Sequence, residues 1–109
     1  MTRLNHRLTL LGTGSSGGVP RVGGDWGVCD PTEARNRRTR CSALVDRFGA
    51  DGAMTRILID TSPDLREQLL AADVRKLDGL VYTHDHADQT HGIDDVRALV
   101  NAMRKPIPT

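Results

Sequence analysis

Apolar, β-prone residues come in short runs separated by turn formers, at residues 7–12, 41–48, 54–60 and 79–83. Each run is too short for an ordinary helix and the right length for a strand. Gly49-Ala50-Asp51-Gly52 lies between the second and third runs and predicts a hairpin turn. A helical period replaces the alternation in two places. Ser62 as cap and Pro63 at the first helical position open one helix, with Leu65, Leu69, Ala72 and Leu77 as its buried stripe. A second helix is predicted over 94–103, where Val96, Leu99, Val100 and Met103 fall on one face. The pattern is that of one α/β (α+β) unit, with no internal repeat, linker or low-complexity tail.

From Gly12 to about Asp30 the pattern stops, and Gly12, Gly14, Gly17, Gly18, Gly23, Gly24 and Gly27 with Pro20 describe a long irregular loop. Its opening, Gly12-Thr13-Gly14-Ser15-Ser16-Gly17, matches the G-x-G-x-x-G spacing of dinucleotide sites. Those sites need a helix to begin within the turn so that its N-terminus meets the pyrophosphate. The glycines and proline that follow forbid one, so the loop reads instead as backbone N–H groups lining a cleft, with Ser15 as a candidate substrate contact.

The densest chemistry is Thr83-His84-Asp85-His86-Ala87-Asp88-Gln89-Thr90-His91, which holds three of the four histidines. It follows the apolar Leu80-Val81-Tyr82 and so sits at the C-terminal end of a strand. Two residues apart on extended chain, His84 and His86 can point the same way. Paired imidazoles are the start of a zinc-type site, which takes about three or four N, O or S ligands in all. Asp88 could bind a second cation or hold the attacking water, and His91 is a further candidate ligand.

Composition narrows the classes. A net charge of +1 over 109 residues argues against a general nucleic-acid binder. Two cysteines, Cys29 and Cys41, are too few for a disulfide framework. The opening residues lack a signal-peptide core, and no apolar run reaches membrane-spanning length; a soluble cytoplasmic protein is the simplest reading. The run Arg35-Asn36-Arg37-Arg38-Thr39-Arg40 is either a solvated face or a source of guanidinium groups for a phosphate, with Arg40 the best placed. Asp60, at a strand end, reads as a helix cap, a support for a ligand histidine or part of the site, with structural service preferred.

Thr83-His84-Asp85-His86-Ala87-Asp88 resembles the T-H-x-H-x-D-H motif of metallo-β-lactamase-fold hydrolases. Leu10 to Pro20, Arg37 to Leu44, Leu58 to Leu65 and His91 to Asp95 extend the likeness to the branch of phosphoribosyl 1,2-cyclic phosphate phosphodiesterases. The resemblance implies an αββα sandwich with the metals at the top of the sheets, zinc or manganese, one or two ions. His84 and His86 would bind the first metal and Asp88 the second, with Asp88 also positioning the nucleophile and Arg40 or loop N–H groups meeting a small phosphorylated substrate.

The chain departs from that pattern at Gln89, where the family has a histidine; either the second site is weak or His91 replaces the ligand. Cys29 alone represents the cysteines that bind a structural zinc in some relatives, so none is expected. The resemblance implies that residues 1–109 are the N-terminal portion of a single domain, whose C-terminal half would supply the remaining ligands. A bare sheet face would then invite a homodimer or the missing half as partner. Two other readings stay open: a non-catalytic metal- or partner-binding remnant, and a tRNA-processing-type nuclease of the same fold.

Overall fold

The computed structural model describes residues 5–109; Met1 to Leu4, expected not to open a leader, lie outside them. Four strands form one sheet in the order β1 (His6–Gly12), β2 (Ser42–Phe48), β3 (Met54–Ile59), β4 (Gly79–Val81). The first two pairings are antiparallel and the last is parallel. The hairpin turn is where the glycines place it: Gly49 N–H donates to the Ala53 carbonyl at 2.8 Å, and Gly52 adopts φ 82°. The parallel pair needs a crossover, and α1 (Leu65–Ala71) supplies it.

One face of the sheet carries the core. Leu44 and Leu58 meet Leu65 and Leu69 of α1, with Val74, Leu77, Leu80 and Val96 completing the cluster. Among these sits a charged group: Asp46 is fully buried, and both of its oxygens accept from Arg56, at 2.7 and 3.1 Å, with Arg7 adding a further bond at 3.0 Å. The Arg56 hydrogen bond outweighs burial and holds the Asp46 carboxyl below the ordinary carboxylate range.

Among the described residues nothing covers the other face. Registers Leu8↔Val45, Leu10↔Ala43, Val45↔Ile57 and Ile59↔Val81 align the apolar side chains of that face across the strands. Leu8, Leu10 and Val81 remain more than half exposed. A sheet covered by helices on one side and apolar on both is one αβ layer pair of a sandwich, as expected.

Several elements differ from the sequence reading. Helix α1 begins at Leu65 instead of at Pro63, because the Ser62 hydroxyl accepts the Asp64 N–H and itself donates to Gln68 Oε1, forming a separate turn. Leu77 is buried beyond the helix, not on it. Strand β4 is three residues long, ending before Tyr82. The last helix divides into a 3-10 turn, Ile93–Val96, and α3 (Arg97–Met103). A short α2 (Ala87–Thr90) lies inside the histidine segment, where a loop was expected. Among the described residues no helix is long and apolar enough to cross a membrane.

Candidate metal centre

The histidine segment is held by the turn that leaves β3. Asp60 is buried there with φ 63°, a left-handed conformation that Asp tolerates better than most residues. Its neighbour Thr61 is fully buried and ties the C-terminal part of the segment. Thr61 N–H and Oγ1 donate to the Gln89 carbonyl at 2.7 and 3.1 Å, and its own carbonyl accepts from Gly92 N–H at 3.0 Å. Gly92 packs so closely on the Ser62 carbonyl that a Cβ there would overlap it. The strand-to-helix turn is therefore the mould for residues 83–92.

Asp60 carries the side-chain chemistry outward. Its carboxylate accepts the Thr83 N–H and the Thr83 hydroxyl, each at 2.8 Å. Thr83 Oγ1 lies 2.9 Å from His84 Nδ1. A hydroxyl has one hydrogen, and a carboxylate can only accept. The Thr83 proton is thus committed to Asp60, and Oγ1 must accept from a protonated His84 Nδ1. The relay fixes one tautomer and leaves the His84 Nε2 lone pair outward. Of the roles open to Asp60, structural service is the one these bonds show, since the carboxylate braces Thr83 and through it His84. The sequence reading missed Thr83, although a hydroxyl residue directly before the first histidine was the available signal.

His84 and His86 meet edge to face, with ring centroids 4.5 Å apart, and both are solvent-exposed. Asp88 and His91 do not join them: among the described residues no three His, Cys, Asp or Glu side chains gather closely enough to hold a metal. His91 ends α2 and is exposed. For the first cation the donors fit in kind, two adjacent imidazoles with one Nε2 oriented, but they are half a sphere. For a second cation the residues do not fit. Gln89 is 5% exposed, and its Nε2 donates to Asp88 Oδ2 at 2.8 Å and faces Cys41 Sγ at 3.8 Å. Its Oε1 is buried without a hydrogen-bond partner, and exchanging the amide atoms would set oxygen against the Asp88 carboxylate.

The candidate substrate contacts are placed otherwise than expected. Arg40 turns onto Asp64, whose carboxylate takes its Nε, Nη2 and backbone N–H at 2.7, 3.1 and 2.9 Å. A fork engaged in this way is not free for a phosphate. Burial works to raise the Asp64 carboxyl, but the Arg40 backbone and guanidinium donors prevail and hold it below its ordinary value. Ser15 is exposed, and its carbonyl closes a turn by accepting the Gly18 N–H at 2.9 Å. The glycine loop is anchored to the arginine run by pairings of Gly14 with Arg40 and Val19 with Arg38.

Residues 55–108, from β3 to near the end of the chain, match the family model described as the beta-lactamase superfamily domain. Over that stretch the chain is similar to members of that superfamily. It is 44% identical to a crystal structure of a diphosphatase from the PhnP family, with a TM-score of 0.76, covering 93% of this chain and 39% of the other. Zinc-bound PqqB from Methylobacterium extorquens shares the fold at 23% identity and a TM-score of 0.59, covering 84% of this chain and 36% of the other. A protein named octanoyltransferase from Porphyromonas gingivalis (strain ATCC BAA-308 / W83) is 44% identical over 93 residues, which are 85% of this chain and 18% of that protein. The chain thus spans well under half the length of each relative.

Proposed function

We propose that the chain supplies the first-metal side of a metal-dependent hydrolase that cleaves a phosphoester or phosphoanhydride bond in a small substrate, a cyclic sugar phosphate being the first candidate. The observation that carries the reading is the Asp60–Thr83–His84 relay, which orients an imidazole beside His86 at a strand end. A histidine without such a role has no need of a buried carboxylate and a hydroxyl to fix its tautomer. The identity to a PhnP-family diphosphatase supports phosphorus chemistry over other hydrolyses in the superfamily.

A divalent cation, zinc or manganese, would supply an activated water and neutralise charge on phosphoryl oxygens. The residues of this chain do the rest of what is proposed here. His84 and His86 offer the donors, Asp60 and Thr83 hold His84 in register, and Asp88, held by Gln89 through one oxygen, keeps the other for the nucleophile once the remaining ligands complete the centre. Asp88 is the proposed catalytic residue, as positioner of the nucleophile. The remaining ligands belong to a C-terminal half or a second copy.

The likeness to a protein named octanoyltransferase supports a second reading, in which the same hydrolytic centre meets an acyl thioester. Assay of the metal-loaded protein on a cyclic ribose phosphodiester, a nucleoside diphosphate and an octanoyl thioester separates the two. Phosphorus substrates turned over, with activity abolished by chelator and by His84→Ala, is the expected result. Turnover that survives His84→Ala overturns the proposal, and turnover of the thioester alone favours the second reading.

A further inference from the structure

The glycine loop and the arginine run border an open cavity of about 320 Å³, lined by Gly17, Gly18, Val19, Arg37, Arg38 and the Arg40–Asp64 pair, among others. Its volume is in the range of small-molecule sites. Asp64 is the acid of that wall, and Arg40 neutralises it. Arg38 spends its Nη1 donor on the carbonyls of Arg35 and Arg37, which leaves its charge uncompensated. Arg37 lies over the Trp26 ring, 5.5 Å from the centroid. Neither Arg37 nor Arg38 has a carboxylate partner among the described residues.

We infer that this cavity binds the phosphate or diphosphate group of an anionic ligand, with Arg37 as its principal donor. The contact with Trp26 is at cation–π distance and restrains the guanidinium, which leaves N–H groups for a two-pronged grip on phosphoryl oxygens. Two uncompensated cations across a concave wall concentrate the field in a chain whose net charge is only +1. Gly17 and Gly18 add no side chain to the loop wall, which Val19, Pro20 and Val22 otherwise line, so an anion has room beside the arginines there. Arg40, in the cavity wall, directly precedes Cys41, whose Sγ meets Gln89 of the histidine segment. A ligand anchored by its anionic end here can extend toward Asp88. The grip needs no metal, so it stands apart from the reading of the histidine pair.

The test is calorimetric titration of the chelator-treated protein with inorganic pyrophosphate at low salt. Binding is expected, weakening with added salt, about tenfold or more weaker in Arg37→Gln, and only partly restored in Arg37→Lys, which keeps the charge but loses the fork. His84→Ala with His86→Ala should leave it unchanged, which separates this site from the metal centre. Because Arg37 is exposed, its loss should not unfold the chain, and circular dichroism checks this. No heat at millimolar pyrophosphate, equal affinity in Arg37→Gln, or a loss confined to the histidine variant would each overturn the inference.

Discussion

Replacing Asp60 with Asn removes one negative charge and changes almost no volume, and its consequence should appear two residues away in a hydrogen-bond relay. In the native chain, Asp60 takes the Thr83 proton and so forces His84 to present Nδ1–H to Thr83. An Asn at 60 can keep an oxygen on the Thr83 N–H, but its amide then donates to Thr83 Oγ1. The Thr83 hydroxyl is released to donate to His84 Nδ1, and the proton moves to Nε2, the nitrogen a metal would need. The backbone should tolerate the change, since Asn adopts the φ of 63° found here as readily as Asp does. Loss of an outer support of this kind costs about 10–100-fold in metal affinity, or roughly 1.4–2.7 kcal/mol. Long-range nitrogen–proton correlation spectra of the metal-free protein read the tautomer directly, and zinc titration reads the affinity. His84 remaining Nδ1-protonated in the Asn variant, with affinity changed by less than about twofold, would refute the relay.

Two further perturbations test the scaffold. Asp46→Ala strands Arg56, 9% exposed, without its partner, so a loss of about 3–5 kcal/mol is expected by denaturant unfolding; the pair Asp46→Leu with Arg56→Met should recover most of it. Since the Asp46 carboxyl is depressed in the folded state, its stabilisation is complete above the ordinary carboxylate pKa and fades as pH falls through the depressed value, so the Ala variant should show a flatter acid limb. Gln89→Met loses the bond to Asp88 but also removes a buried, unpartnered oxygen. The two terms, each about 1–3 kcal/mol, should nearly cancel. A destabilisation well above 3 kcal/mol would mean that Oε1 is satisfied.

The strands and the hairpin were legible because alternation and glycine placement are local signals, and β1, β2 and β3 begin and end within a residue of expectation. The start of α1 was not, since Ser62 and Asp64 are good caps, but here Ser62 bonds to the Gln68 side chain on α1 itself and Asp64 spends its carboxylate on Arg40, a tertiary partner. For the same reason Arg40 reads as a free cation in sequence and as a closed ion pair in space. The histidine pair was legible from spacing. Its support was half legible: Asp60 stood out at a strand end, but the role of Thr83 depends on distances that no pattern encodes. Gln89 was recognisable as an odd residue, while its clamp on Asp88 needed the fold.

The most direct test of the account is elemental analysis of metal bound per chain after purification without chelator, with the His84→Ala and His86→Ala double variant beside it. If the histidine pair is the core of a metal centre completed by a C-terminal half or a second copy, the protein with its completing part should hold one zinc or manganese, lost in the variant. Metal retained equally by both proteins, or absent from both even when the completing part is present, would contradict it.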